Sequence, residues 1–244
     1  MGTDKKEIIL LLTGTIQPNS LDVLAVKDPE TRKQHYLDAI SYYLEYTPYK
    51  IIFSENSGTS LAEYFPVSDR LEFLTFQSPT ISPDKGKGWK ELEIIDFTLK
   101  NSRLIEDRSL IVKITGRLKV LNIKKLAGPA KDMMLSNDGF VYCNIYQRLK
   151  MDSRCFLFTR EFWPYLQEKG KSINLGFSFE KALWQAVVEF KTNGKGIYKQ
   201  FSQPLRIKGI SGGFGIPYKN GDLIIFAKQV KHFLNHIAYP EILR

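Results

Sequence analysis

The chain has 244 residues, of which 43% are hydrophobic and 13% aromatic, which is enough to bury a substantial core and predicts a single domain. Lysine and arginine number 35 against 26 acidic residues, a formal net charge of +9, which favours nucleotides, nucleic acid or an anionic membrane surface as partners. The two cysteines, Cys143 and Cys155, are too few for a disulfide framework and fit a reducing cytosol, although a single bridge stays open.

The first apolar run, residues 8–12, is too short for a signal peptide core or a membrane span, so we expect a cytoplasmic protein that is soluble or peripheral on the inner face of a membrane. The run is typical of a buried parallel strand, and Thr13, Gly14 and Thr15 follow it as a ligand-facing loop. Asp28 and Pro29 then predict the start of a helix that ends before Pro48.

Residues 50–53 form the second predicted strand, and a polar loop at residues 55–60, which opens with Glu55 and Asn56, follows its carboxyl end. A short helix near residues 61–65 and a third strand at residues 71–76 come next.

Two glycines mark the next loop, at residues 84–88, which carries Gly86, Lys87 and Gly88 directly before an amphipathic helix. Backbone N–H groups at such a helix start can approach an anion closely, and phosphate would suit them. The simpler interpretation, an ordinary connecting loop, fits the glycine pair equally well.

The fourth strand, residues 110–114, is too apolar to be solvated on both faces and carries Lys113, with Arg117 just beyond its end. In open α/β sheets ligands bind outside the carboxyl ends of strands, so both cations are candidates for an anionic ligand. Alternatively, they are surface cations that pair with Glu106, Asp107 or Glu91.

The second half of the chain departs from this alternation. Strands at residues 140–145 and 155–158 and helices at residues 160–167 and 179–189 are predicted, followed by a glycine-rich loop at residues 210–215 that suggests a flap. A basic amphipathic helix at residues 223–237 either packs on the core or lies on an anionic bilayer.

The predicted fold class is α/β, with a mostly parallel sheet flanked by helices in one domain. Residues 1–125 would form a nucleotide-binding half, and residues 126–244 would complete the sheet and form an acceptor half.

The order of these motifs resembles the nucleotide-sugar half of glycosyltransferases with the GT-A fold. In that fold an acidic Ser/Gly-rich loop follows the second strand, where this chain has ENSGTS, and a glycine-containing loop opens the helix before the fourth strand, where it has GKG. Together with DPETR, KITGR and a late SGG loop, the pattern resembles glycosyltransferases of bacterial capsule and lipopolysaccharide synthesis.

The resemblance implies a D-x-D metal motif after the fourth strand, but this chain has Lys113-Ile114-Thr115-Gly116-Arg117 there. Lysine and arginine can supply the metal's positive charge to the leaving phosphate, so we expect transfer without a required cofactor and do not favour a divalent metal. Asp138 could be a displaced metal ligand, although an Asn-Asp-Gly turn explains it more simply.

The resemblance also implies sites for the donor and for a base. Thr13, Gly14, Thr15, Glu55 and Asn56 would hold the nucleoside, and Gly86, Lys87, Gly88 and Lys113 the phosphates, with Arg117 stabilising the leaving group. Asp152 or Glu180 would accept the acceptor's proton in an inverting reaction, unless Asp152 merely pairs with Arg154 and Glu180 complements a helix dipole.

The implied partners are a nucleotide sugar and a glycan or lipid-linked acceptor. A nucleic-acid-binding protein is the alternative suggested by net charge alone, but lysines and arginines are spread along the chain without a recognition motif. A non-catalytic nucleotide- or carbohydrate-binding relative is the alternative suggested by the missing D-x-D.

Overall fold

A computed structural model describes residues 7–18, 24–80, 83–134, 139–194, 196–212 and 215–239. The strands in chain order are β1 (Ile8–Gly14), β2 (Lys50–Glu55), β3 (Leu71–Thr75), β4 (Leu110–Thr115), β5 (Lys119–Val120), β6 (Phe140–Gln147), β7 (Lys150–Phe158), β8 (Ile197–Lys199) and β9 (Ile207–Lys208). The helices are α1 (Pro29–Tyr46), α2 (Gly86–Asn101), α3 (Ile123–Met134), α4 (Trp163–Gly170), α5 (Phe179–Thr192) and α6 (Asp222–Ala238). Short 3-10 turns lie at Ala62–Tyr64 and Arg160–Phe162.

Seven strands form one mixed sheet in the order β3-β2-β1-β4-β7-β6-β8, and β5 and β9 form a separate small pair. β1 is parallel to both β2 and β4, β2 is parallel to β3, and β6 is parallel to β8. Only β7 runs against its neighbours β4 and β6 within the described sheet. The α/β class and the mostly parallel sheet are therefore confirmed.

The central strands bury both faces, which explains their continuous apolar sequence. Leu10 and Leu12 of β1 belong to the core beneath α1 and α3. Ile9 and Leu11 belong to a second core, which packs against α2, α4 and α5. The sheet therefore has a helical layer on each face.

Helix α1 begins where the sequence predicts, because the Asp28 carboxylate accepts a hydrogen bond of 2.7 Å from the backbone N–H of Thr31 and Pro29 occupies the first turn. Helix α3 was not predicted, since its sequence contains Gly128 and Pro129, two residues that normally interrupt a helix.

The predicted strand at residues 155–158 is longer in the structure and starts at Lys150. A tight turn at Arg148 and Leu149 joins it to β6, and Leu149 adopts a φ of 56°. This hairpin is why β7 runs antiparallel to its neighbours. No described helix is both long enough and apolar enough to cross a bilayer.

Candidate functional site

The carboxyl ends of β1 and β4 mark the point where the strand order reverses, since β2 and β3 extend from one side of β1 and β4 lies on the other. Thr13 of β1 is paired with Thr115 of β4, so the two strand ends lie side by side. The N–H of Gly116 donates a 2.8 Å hydrogen bond to the Thr13 carbonyl, and a Cβ at Gly116 would stand 2.7 Å from that oxygen. Only glycine fits there, and it places Arg117 beside the crevice in which such sheets bind ligands.

A buried ion pair lies at the end of β4 on the α2 and α5 face. Lys113 is fully buried; its ammonium pairs with Glu91 of α2 and donates a 2.6 Å hydrogen bond to the Ser153 carbonyl. Thr13 donates to the same Glu91 carboxylate at 3.2 Å. Lys113 thus has the partner that the alternative interpretation suggested, and its charge is already compensated within the protein.

Glu180, one of the two predicted bases, belongs to the same cluster. Its Oε1 accepts a 2.6 Å hydrogen bond from the hydroxyl of Ser153, whose carbonyl binds Lys113. The fold therefore brings Thr13, Lys113 and Glu180 together although they are far apart in sequence.

Two arginines lie near the same strand ends on the α1 face. Arg117 donates a 2.7 Å hydrogen bond from Nη1 to the Ile210 carbonyl. The buried Arg32 of α1 donates to the carbonyls of Thr15 at 2.6 Å and Val26 at 3.1 Å, and also to the Tyr36 hydroxyl at 3.1 Å. All of these acceptors are neutral, and neither guanidinium forms an ion pair with any carboxylate in the described part of the chain.

Arg32 and Arg117 are close enough to interact electrostatically. Burial lowers the pKa of Arg117 and the charge of Arg32 lowers it further, whereas Tyr36, Tyr218 and Glu91 raise it. The pKa of His35 is likewise lowered, first by burial and then by the charge of Arg117. An anion placed beside Arg32 and Arg117 would relieve this repulsion.

The predicted nucleoside contacts divide into two groups. Thr15 donates a 2.6 Å hydrogen bond to Oδ1 of Asn56, whose Nδ2 is buried and has no partner among the described residues. That amide nitrogen is a donor that a ligand could satisfy. Gly14, in contrast, is a packing residue, because a Cβ there would stand 2.7 Å from the ring of Phe53.

Glu55 is fully buried, and its carboxylate shapes the two loops around it. It accepts backbone hydrogen bonds from Ile16 at 2.9 Å, Ser57 at 2.9 Å and Thr59 at 3.0 Å, and it also accepts the Ser57 hydroxyl. With its oxygens occupied in this way, Glu55 positions the loops that follow β1 and β2, and its direct contact with the donor stays a prediction.

The GKG segment is not a free phosphate loop, because α2 begins at Gly86 and the three residues form its first turn. Gly86 donates a 2.9 Å backbone hydrogen bond to the Asp84 carboxylate. A Cβ on Gly88 would lie 3.2 Å from Phe179 at the start of α5, so this glycine allows two helices to pack closely. Lys87 is exposed. This geometry favours the simpler interpretation of the glycine pair.

Asp152 lies inside β7, which begins before the predicted strand at residues 155–158. Both of its oxygens bind the Arg154 guanidinium, at 2.8 and 2.6 Å. The pair lines a cavity of about 240 Å³ between the β6–β7 hairpin and α6. Tyr218 lies in the wall of this cavity and interacts electrostatically with Arg117 as well as with Arg154, so the cavity adjoins the arginine site.

The glycine-rich loop predicted as a flap lies against Arg117. The Ile210 carbonyl accepts from the guanidinium, Gly212 approaches Nη2, and the Gly212 carbonyl accepts a 3.2 Å hydrogen bond from Ala25. Residues 213 and 214, in the middle of this loop, lie outside the described residues.

No three histidine, cysteine, aspartate or glutamate side chains lie close enough to hold a metal ion within the ranges that the structure covers. Asp138, the suggested displaced ligand, lies outside those ranges.

Sequence reasoning missed Arg32 and Tyr36, whereas it named Arg154 as a partner of Asp152, and that ion pair is confirmed. Arg32 could have been found, because it occupies the apolar face of α1 together with Tyr36, Ala39 and Tyr43, all of them buried. A charged residue on that stripe has to find polar partners inside the fold. The place of Arg154 in a cavity wall carries no such local signal, since that cavity forms against α6.

Comparison with known proteins adds no relative: no protein-family model matches the chain, and a search of curated proteins finds no similar sequence.

Proposed function

We propose that this chain is a glycosyltransferase that moves a sugar from a nucleotide-sugar donor to a glycan or glycolipid acceptor in surface polysaccharide synthesis. The observation that carries the proposal is the pair Arg32 and Arg117. Neither arginine forms an ion pair with a carboxylate among the described residues, and both lie beside the point where the strand order of the α/β sheet reverses. The order of sequence motifs along the first half, which resembles the GT-A fold, supports the same assignment.

The donor would bind with its diphosphate against the two guanidinium groups. As the bond between the sugar carbon and the phosphate oxygen breaks, negative charge grows on the leaving nucleotide, and arginines fixed by neutral acceptors stabilise it without first rearranging. Arg117 takes the leaving-group role. Lys113 acts indirectly, because its ammonium is engaged by Glu91 and Ser153.

The nucleoside would lie over Thr15 and Asn56, where the buried amide nitrogen of Asn56 offers a hydrogen bond. In an inverting reaction a carboxylate takes the proton from the acceptor hydroxyl. Glu180 suits this role better than Asp152, since a bidentate ion pair engages both oxygens of Asp152, whereas Glu180 accepts from the Ser153 hydroxyl.

The acceptor would approach from the side of α6, whose exposed apolar residues could place the enzyme at the inner face of a membrane. A required metal is not part of the proposal, since the arginines provide the positive charge.

The test is nucleotide binding by calorimetry, after a thermal-shift screen of nucleotide sugars has identified a donor. Arg117→Gln should weaken binding of the corresponding nucleoside diphosphate by about tenfold or more, because a charge-assisted hydrogen bond is lost. Arg117→Lys should fall in between, since it keeps the charge but not the fork of donors. Arg108→Gln, at the opposite end of β4, removes the same charge from an exposed position and serves as the control.

EDTA should leave the binding unchanged. Binding that EDTA abolishes would contradict the role given to the arginines, and a chain that binds no nucleotide sugar at all would favour a nucleic-acid-binding or carbohydrate-binding protein.

A further inference from the structure

Helix α6 is amphipathic, but its polar face lies against the protein and its apolar face is exposed. Among the α6 side chains that the structure describes, Ile225, Lys228, His232 and Asn235 face the protein and three of these are polar, whereas most of the large apolar side chains point to solvent. Leu223 is 86% exposed and Phe226 is 64% exposed. A helix that packs on a core normally buries its apolar stripe. The surroundings beneath α6 should therefore explain why its polar face points inward.

Beneath that face lies the cavity of about 240 Å³, and its walls are cationic. Among the described residues, Arg154, Lys228 and Lys231 line it together with one carboxylate, Asp152. Lys228 and Lys231 donate to the backbone carbonyls of Lys219 and Tyr146, which do not neutralise their charges. The three described cations of the wall therefore exceed its one described carboxylate by two charges.

The guanidinium at the centre of this wall is fixed in place. Asp152 binds it through two hydrogen bonds, and the rings of Tyr146 and Tyr218 lie 5.3 and 5.2 Å from its central carbon. Burial lowers the pKa of Lys228, and the charge of Arg154 lowers it further, so these two cations share one space. An anion bound between Arg154 and Lys228 would stabilise both positive charges.

A hydroxyl-binding group completes the cavity. Asn144 is only 8% exposed, and its Oδ1 is buried without a partner among the described residues. A carbonyl oxygen in that position accepts a hydrogen bond, which a hydroxyl supplies and a fully ionised phosphate does not. The cavity thus combines an anion-binding side with an acceptor for a hydroxyl group.

We propose that the cavity beneath α6 binds the phosphate-bearing, hydroxylated end of the acceptor, a sugar phosphate or polyol phosphate. The cavity is smaller than the about 300 Å³ typical of complete small-molecule sites, which fits one end group of a larger ligand. This assignment to the acceptor rests on the proposed glycosyltransferase function. The phosphate site itself does not, because it is separate from the arginines that would bind the donor.

The experiment uses the whole chain and three probes in calorimetry: inorganic phosphate, glycerol phosphate and vesicles of phosphatidylcholine with or without phosphatidic acid. We expect glycerol phosphate to bind more tightly than inorganic phosphate, and Asn144→Ala to remove that difference. Lys228→Gln should weaken glycerol phosphate binding about tenfold. Lys124→Gln, an exposed site on α3 with the same change of charge, should alter it less than twofold.

A second variant guards against loss of folding. Asp152→Asn combined with Arg154→Gln removes the ion pair as a unit and should also abolish glycerol phosphate binding. Wild-type affinity in both this double variant and Lys228→Gln, or no binding of any phosphate probe, would overturn the proposal.

Two further outcomes identify the source of the phosphate. Binding of glycerol phosphate in solution supports a soluble acceptor. Binding only to vesicles with phosphatidic acid, weakened by Lys228→Gln but not by Lys124→Gln, supports a lipid-borne one.

Arg117→Gln separates the two proposals. It should reduce nucleoside diphosphate binding and leave glycerol phosphate binding intact, whereas Lys228→Gln should do the opposite. A protein that binds glycerol phosphate through Lys228 but no nucleotide sugar would retain the cavity site and refute the transferase function.

Discussion

The cations at the end of β4 were visible in the sequence, but their different roles were not. Lys113 and Arg117 are separated by three residues. Lys113 forms an ion pair with Glu91 on one face of the sheet, whereas Arg117 lies near Arg32 on the opposite face. Alternation along a strand would place positions 113 and 117 on the same face, but β4 ends at Thr115 and the chain turns at Gly116, which redirects Arg117. Which helix would supply a carboxylate could not be predicted, because that depends on how α1 and α2 pack.

The pair Glu91 and Lys113 can be tested by changing one partner or both. Glu91→Gln should lower the free energy of unfolding by about 3 kcal/mol, because it leaves the buried ammonium uncompensated. Glu91→Leu combined with Lys113→Met should recover most of this loss, and it should keep nucleotide binding if Lys113 has no direct contact with the donor. Equilibrium unfolding in urea measures both effects.

The matched control is Glu30→Gln, which breaks the pair with Lys33 on the surface of α1, where the Glu30 side chain is 76% exposed. It should cost less than about 1 kcal/mol. A double variant no more stable than Glu91→Gln alone would show that the pair is not the reason for the loss.

At the level of elements, the strands and helices of the first half follow the predicted order because their signals are local. Asp28 and Pro29 start α1, and apolar runs mark β1, β2 and β4. The second half was harder: α3 contains Gly128 and Pro129, and β7 depends on a hairpin partner. For α6 the sequence predicts a helix correctly, but packing on the core was the simpler expectation and the apolar side chains instead face solvent.

The exposed apolar stripe of α6 predicts binding to a membrane surface, and the net charge of +9 favours anionic headgroups. The wild-type protein should sediment with vesicles of phosphatidylglycerol and phosphatidylcholine, and only weakly with phosphatidylcholine alone. Phe226→Ser combined with Phe233→Ser should reduce this binding more than tenfold, because two aromatic side chains no longer enter the interface.

The control for this experiment is Val67→Ser combined with Leu175→Ser, which removes two exposed apolar side chains elsewhere. Sedimentation velocity distinguishes another occupant of the stripe: a wild-type dimer that the Phe226 and Phe233 changes dissociate would indicate a second copy of the chain in place of the membrane.

At the level of the whole molecule, composition predicts the class of fold but not where the charge is used. The net charge of +9 favours acidic partners in general, and the fold divides part of that charge between the arginines at the switch point and the cavity beneath α6. Such a division arises from long-range packing. The sequence could therefore predict the arginine site only from the ends of the strands, and it could not predict the cavity beneath α6.

The reactivity of the two cysteine thiols can show whether the whole sheet unfolds as one unit. Both are free and buried, in β6 and β7. Burial raises the pKa of each thiol well above its usual value, and the charge of Asp152 raises it further. Neither should react with Ellman's reagent in the native protein, and both should react once the chain unfolds.

A cysteine introduced at the exposed Ser60 provides the comparison and should react at once. Rapid reaction of Cys143 or Cys155 without denaturant would mean that the edge of the sheet opens locally. Two thiols missing from the unfolded, unreduced protein would indicate a disulfide.

The ladder of hydrogen bonds that joins the strands from β3 to β8 has a mechanical consequence. Because β7 is bonded to β4 on one side and to β6 on the other, the two halves of the chain share one backbone framework and cannot swing apart as rigid bodies without breaking it. Access of a ligand to the strand ends must therefore depend on surface segments and side-chain rotations, and hinge-type substitutions between the halves should leave ligand binding unchanged.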